Sequence, residues 1–149
     1  MVINAKTVSF ESINVGDELP SLQKSETQEN INNYLELNRR REREIPSMNL
    51  HTDEEYADKG IFAGTVNYGV TTCGFMVEAL QLAFPTKNIV QGTFNMRALE
   101  PIRVDDLVTY TGKVLSKREE DGKRLVEVEV TGTNQLDQTV AVAKAVIPM

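Results

Sequence analysis

The only histidine of the 149-residue chain, His51, is the first candidate for chemistry. An imidazole ordinarily titrates near pH 6.5, so it can both donate and accept a proton close to neutrality. His51 opens the stretch HTDEEYADKGIFAGTVNYG, which ends at Gly69, 18 residues later, where a long apolar segment begins. The spacing makes His51 a candidate proton-transfer group close to a helix start. The alternative is a structural histidine that binds Asp53 or a backbone carbonyl.

Two capping-box patterns predict the helices on either side of His51. Ser25 with Gln28 predicts a helix start, and the helical spacing that follows must end before Pro46. Thr52 with Glu55 predicts a short helix that Lys59 and Gly60 end, with Asp53 and Glu54 favourable at its amino end. His51 would then lie just before a helix start, on a short and rigid segment.

The residues from Val70 to Phe84 predict a longer helix that Pro85 stops. Its apolar residues surround it almost completely, and a helix of this kind is typically buried. Cys73 and Met76 are therefore expected in the core, with a reactive Cys73 as the alternative. A lone cysteine forms neither an internal disulfide nor a metal cluster.

The remaining sequence predicts strands. Ser9 to Leu19 is expected to be a strand or extended segment that ends in a turn at Val15-Gly16-Asp17. Apolar residues alternate with polar ones from Val90 to Ala98, Val108 to Val114 and Val126 to Val130, with turns at 104–106 and 121–122, and Val140 to Ile147 is expected to be the last strand. Hairpin-like turns between strands imply an antiparallel sheet with one covered face. We therefore expect an α+β fold in which a curved antiparallel sheet wraps around a long central helix.

Four stretches, in order, resemble the MaoC-like dehydratase or (R)-specific enoyl-CoA hydratase family, whose fold is the hotdog fold. They are INVGDELP, HTDEEYADKGIFAGTVNYG, MRALEPIRVDDLVTYTGKV and VTGTNQLDQTVAVAKAVI, and the similarity runs from about Phe10 to Ile147. The resemblance implies addition of water to a 2-enoyl thioester, or its removal, with coenzyme A as the substrate carrier and no other cofactor. It also implies that His51 shares the acid and base duties, and that backbone N–H groups near Gly69 polarise the thioester carbonyl.

One motif departs from the family, because Pro46 stands where the family has its catalytic Asp. Met48 and Asn49 replace the family's Asn and Pro. Three readings stay open: Glu44 supplies the second carboxylate, Asn49 orients a water or holds the thioester while His51 works alone, or the chain is a non-catalytic subunit. An acyl-CoA thioesterase is a further alternative, since other hotdog families hydrolyse acyl-CoA. Asp53 more plausibly serves the helix that follows it.

Composition sets the expected partners. The net charge of −6 disfavours nucleic acid, and the basic cluster at Arg39-Arg40-Arg41 and Arg43 is either a solvated helix end or a contact for a small anionic ligand. Arg97, Arg103 and Lys87 are the candidates for binding the phosphates of coenzyme A. We expect one domain over residues 1–149, a cytoplasmic protein without a membrane span, no metal, and at least a homodimer. A second hotdog chain is the alternative partner.

Overall fold

The computed structural model describes residues 1–38 and 48–149. The predicted candidates Arg39, Arg40, Arg41, Arg43, Glu44 and Pro46 lie outside the described residues. In chain order the elements are β1 (Leu22–Ser25), α1 (Gln28–Asn38), α2 (Glu54–Asp58), α3 (Gly69–Ala83), α4 (Thr86–Ile89), β2 (Thr93–Ala98), β3 (Leu107–Glu120), β4 (Lys123–Thr133) and β5 (Thr139–Pro148).

The five strands form one antiparallel sheet in the order β1-β3-β4-β5-β2. The turn predicted between β3 and β4 is confirmed: Asp121 and Gly122 both have positive φ angles, 52° and 72°. Two such residues match the right-handed twist of a tight hairpin. Along β4 the valines at 126, 128 and 130 are buried, and they alternate with Glu127 and Glu129. One face of the sheet is thereby apolar, as the alternation predicts.

Helix α3 packs on that apolar face, and the predicted α+β arrangement of a sheet around a helix is confirmed. Met76, Ala79 and Leu80 have no exposed surface and join the strand valines in one core cluster. The helix is not buried all round, however, because Val70 is 59% exposed and Leu82 is 40% exposed. The sheet covers only one side of α3, so its apolar outer side faces away from the described core.

The predicted strand over Ser9 to Leu19 is wrong. This segment consists of turns, and Glu18 makes only isolated bridges, to Val2 and Lys113. The turn at Gly16, where φ is +89°, is confirmed. The Asp17 carboxylate accepts the Asn14 N–H there at 2.8 Å, which closes the chain on itself instead of extending it.

The start of the strand predicted from Val90 is also wrong, because residues 86–89 form α4 and β2 begins at Thr93. Pro85 occupies the N-cap position of α4 with a φ of −60°. A fixed φ of this kind suits a helix start, so the chain makes one more turn before it extends.

The two helices around His51 exist, but other residues cap them. Thr27, not Ser25, caps α1 by accepting the Asn30 N–H at 3.1 Å, while Ser25 pairs with β3. Asp53, not Thr52, caps α2 by accepting the Tyr56 N–H at 3.0 Å. None of the helices in the described residues has the length and apolar character that a membrane crossing requires.

Candidate functional site

A cavity of about 290 Å³ lies at the amino end of α3. Most of its wall is apolar and comes from Leu50, Phe62, Val66, Ala98, Leu99, Pro101, Ile102 and Val140. The polar positions that line it are His51, Asn67, Gly69, Thr72 and Glu100. An apolar cavity with a few convergent polar groups is the usual form of a small-molecule site.

The ring of His51 is held in one orientation by two contacts. Its Nδ1 lies 2.9 Å from the carbonyl oxygen of Val66. A carbonyl oxygen only accepts, so Nδ1 carries the hydrogen and donates it. The ring also stacks on Tyr68, with centroids 3.8 Å apart. In the neutral imidazole this leaves Nε2 as the unprotonated nitrogen, and no partner for Nε2 occurs among the described residues.

The main chain of His51 is fixed by two side-chain amides. Asn49 Oδ1 accepts the N–H groups of His51 and Thr52, each at 3.0 Å, while its Nδ2 donates to Thr52 Oγ1 at 2.7 Å. Gln28 of α1 donates to the His51 carbonyl at 2.9 Å. The Asn49 amide therefore builds the turn that carries His51, and Asn49 is not among the residues that line the cavity. A contact of Asn49 with substrate stays a prediction.

The start of α3 offers unpaired backbone donors. The N–H groups of Thr71 and Thr72 both reach the Tyr68 carbonyl, and Tyr68 gives no side-chain cap. The N–H groups of Gly69 and Val70 have no acceptor in the described part of the chain. A Cβ added at Gly69 would meet no atom within 4 Å, so packing does not require glycine there. The space on the Cβ side of Gly69 is open, and Gly69 lines the cavity.

Tyr68 is a site residue that the sequence analysis missed. It lies between Asn67 and Gly69, stacks on His51, and has its other ring neighbour, Tyr34, at a centroid distance of 4.7 Å. Burial raises the pKa of the Tyr68 phenol, and Tyr34 adds to this effect. Tyr68 therefore stays neutral near physiological pH and acts on His51 as a flat packing surface.

A buried polar network adjoins the cavity, and the sequence did not predict it either. Asn67 Nδ2 donates to Thr72 Oγ1 at 2.9 Å and to Glu26 Oε2 at 3.3 Å. Burial raises the pKa of Glu26, against smaller opposing effects of its hydrogen bonds with Asn67 and Thr27. Tyr110 is buried beside them, and burial and the neighbouring Glu26 raise its pKa as well. Gly132 makes room for that ring, since a Cβ there would lie 2.9 Å from it.

The three predicted phosphate-binding residues do not meet at the cavity. Phe94 and Met96 of β2 pack against the core, so Arg97 lies on the opposite face of the sheet. Lys87 belongs to α4 beyond the carboxyl end of α3, roughly 22 Å along that helix from Gly69. Arg103 lies closer, but its guanidinium donates to the carbonyls of Phe62 and Ala63 and fastens their loop.

The other predicted site residues are His51, Gly69 and Glu44. His51 and Gly69 line the same cavity, as the sequence predicts. Glu44 lies outside the described residues. Glu100, which the sequence analysis did not single out, is exposed at the cavity rim. It and His51 are the only ionisable side chains among the described lining residues.

Comparison with known proteins defines the class. Residues 48–141 match the family described as MaoC like domain, and the chain therefore belongs to the MaoC-like domain family. A search of curated protein sequences finds no match.

Solved structures agree with this fold. The MaoC-like dehydratase from Rhodospirillum rubrum is 19% identical, with a TM-score of 0.77 over 96% of this chain and 97% of that one. The (R)-hydratase from A. caviae involved in PHA biosynthesis is 20% identical, with a TM-score of 0.72 over 92% and 97%. The ChsH1-ChsH2 complex from Mycobacterium tuberculosis matches with 22% identity and a TM-score of 0.70 over 91% and 98%. The fold is the hotdog fold, as predicted.

Proposed function

We propose that the protein is an acyl-CoA hydratase or dehydratase, which adds water to a 2-enoyl thioester or removes it. One observation carries the proposal: the Nδ1 hydrogen of His51 is donated to the Val66 carbonyl, so Nε2 is left as a base in the cavity that also holds the free N–H of Gly69. A base and a carbonyl-binding donor in one apolar cavity are what this reaction requires.

The hydration step follows from these two groups. The thioester oxygen accepts a hydrogen bond from the Gly69 N–H, which draws electron density from the double bond. His51 Nε2 removes a proton from water as the water oxygen bonds to the β-carbon, and an enolate forms. The protonated Nε2 then returns that proton to the α-carbon. One water is added in total, and dehydration reverses each step.

The amino end of α3 supports the enolate electrostatically. Unpaired N–H groups and the helix dipole favour negative charge there, and removal of one such donor typically costs about 3 kcal/mol of transition-state stabilisation. The apolar wall of the cavity would exclude water from the acyl group. Of the predicted phosphate contacts, only Arg103 lies beside this cavity, through its loop contact with Phe62.

Activity assays with purified protein test the proposal. Crotonyl-CoA and longer or branched enoyl-CoA thioesters should lose the absorbance of the conjugated thioester, and His51→Ala should abolish this loss while its melting temperature stays close to that of the wild type. A thiol reagent run in parallel detects hydrolysis. Undiminished hydration by His51→Ala would refute the assignment, and release of free coenzyme A would identify a thioesterase.

A non-catalytic acyl-thioester-binding subunit is the second candidate. It is favoured because, apart from the exposed Glu100 at the rim, His51 is the only ionisable side chain among the described lining residues, and because Asn49 is engaged in the turn. In that case coenzyme A thioesters would raise the melting temperature without turnover. Turnover that appears only after a second hotdog chain is added would support this candidate over the first.

The open side of the fold supports at least a homodimer with the acyl channel close to the interface. Strand β2 is an edge of the sheet, and Ile61, Val70 and Leu99 are exposed next to residues that line the cavity. Exposed edges and apolar patches are typically covered by a partner. Light scattering at micromolar concentration should give the mass of a dimer or larger assembly, whereas a clean monomer would contradict this part of the proposal.

A further inference from the structure

We infer that Asn67, which lines the cavity, and Glu26 behind it form a second functional pair: Asn67 Oδ1 accepts a hydrogen bond from the water that adds to the double bond, and Glu26 is the positioning residue that keeps this oxygen facing the cavity. The inference rests on the proposed hydratase function. It supplies the water-orienting group that the sequence assigned to Asn49.

The hydrogen bonds of Asn67 determine which end of its amide faces the cavity. An ionised carboxylate accepts but cannot donate, so Glu26 requires the NH₂ end of Asn67 beside it. The two hydrogens of that NH₂ go to Glu26 Oε2 and Thr72 Oγ1. The amide is therefore oriented by chemistry, and Oδ1 is left as an acceptor.

Asn67 Oδ1 is a free acceptor that is not fully enclosed. No hydrogen bond to it occurs within the described residues, and the only fully enclosed side-chain polar atom without a partner there is Asn88 Oδ1. Asn67 itself lines the cavity. The proposal places this free acceptor at the cavity that Asn67 lines.

The chain segment from Val66 to Gly69 brings the reacting groups together. The Val66 carbonyl orients His51, Asn67 supplies the acceptor, and the Gly69 N–H binds the thioester oxygen. The segment is itself anchored, because the Asn67 N–H donates to the Ile102 carbonyl at 2.9 Å. A water in the cavity could donate one hydrogen to His51 Nε2 and the other to Asn67 Oδ1, which directs its oxygen lone pair at the β-carbon.

The surroundings of Glu26 show that its charge is held by few partners. Its side chain is enclosed by Asn67, by the Thr27 N–H at the start of α1, and by Tyr110 of β3. Lys24 of β1 is already paired with Glu78 at 2.8 Å. The Asp106 carbonyl accepts the backbone N–H of Glu26 and makes no hydrogen bond with its carboxylate. Burial of a carboxylate without a cationic partner is unfavourable. A neutral glutamine would fill this position at less cost, but its own NH₂ could then turn Asn67 round.

Glu26→Gln tests the inference, with Glu78→Gln as the matched control, because Glu78 is a carboxylate on α3 that does not line the cavity. Glu26→Gln should lower kcat for crotonyl-CoA roughly tenfold, with KM within about twofold and a melting temperature at least as high as that of the wild type. The control should keep wild-type kcat. Asn67→Ala should match Glu26→Gln, and the double variant should lose no more than either, since both remove the same interaction.

A second measurement does not depend on turnover. In protein labelled with ¹⁵N-asparagine, the Asn67 side-chain NH₂ resonances should titrate with Glu26 in the wild type and lose this pH response in Glu26→Gln. If the wild type hydrates no enoyl thioester, the proposed function fails, and this titration alone decides whether the pair exists. NH₂ resonances that ignore pH, or an active Glu26→Gln variant with wild-type kcat, would overturn the inference.

Discussion

Replacement of Asn49 separates two roles that its sequence position allows, namely contact with substrate and support of His51. Among the contacts within the described residues, Asn49→Ala removes two hydrogen bonds from the N–H groups of His51 and Thr52, and one to Thr52 Oγ1. Such bonds contribute about 0.5–1.5 kcal/mol each. The turn is only partly buried, so hydrogen bonds to water would replace part of this stabilisation. We expect a loss of roughly 1–3 kcal/mol in the free energy of unfolding.

The same variant should impair catalysis through the imidazole. A displaced His51 ring changes the geometry of proton transfer, and small displacements can reduce rates about 100-fold. We therefore expect kcat for crotonyl-CoA to fall by roughly 10–100-fold, with a smaller change in KM. Urea unfolding followed by circular dichroism gives the stability, and initial rates give kcat.

Asn49→Asp is the matched control. Its carboxylate can still accept both backbone N–H groups, while the donation to Thr52 Oγ1 is lost. If Asn49 acts through the turn, this variant should keep kcat within about threefold of the wild type. A fall as large as that of Asn49→Ala would refute the positioning role and restore Asn49 as a group that contacts substrate.

Three further predictions concern the helix and the buried carboxylate. Leu80→Ala should lower the free energy of unfolding by about 2–5 kcal/mol. Leu82→Ala, on the exposed side of α3, should change it by less than about 1 kcal/mol. Equal losses of the two variants in chemical denaturation would contradict the described core. Gly69→Ala should fold with unchanged or higher stability, because its methyl group meets no protein atom, but kcat/KM should fall about tenfold or more; an unaffected kcat/KM would argue against carbonyl binding there. Because burial raises the pKa of Glu26 above its ordinary value of 4.5, the folded state binds its proton more tightly, and this residue lowers stability as pH rises from about 4.5 through the folded-state pKa. Urea midpoints measured across that range should fall more for the wild type than for Glu26→Gln, and parallel curves would count against the raised pKa.

The sequence predicted the elements whose pattern is long and regular. Strands β3 and β4 follow their apolar alternation, and both β5 and α3 begin and end within one residue of the prediction. The alternation also determines the face of the sheet on which Arg97 lies. Neighbouring residues of a strand point to opposite faces, so Arg97 must face away from the core side that Met96 occupies. The predicted phosphate contact overlooked this.

Features that depend on tertiary contacts could not be predicted in the same way. The caps of α1 and α2 moved by one or two residues, because Ser, Thr and Asp are all good N-caps and the neighbouring strand or turn decides among them. Glu26 and Asn67 are 41 residues apart, and no local pattern joins them. The one available signal was a polar Asn67 in the otherwise apolar approach to Gly69.

The central claim is that His51 and the amino end of α3 act on one acyl thioester. A crystal structure with butyryl-CoA, which has no double bond to hydrate, tests it most directly. The account predicts the thioester oxygen within about 3 Å of the Gly69 nitrogen and the β-carbon facing His51 Nε2. A thioester bound elsewhere on the protein, or a His51 ring turned away from the acyl chain, would contradict it.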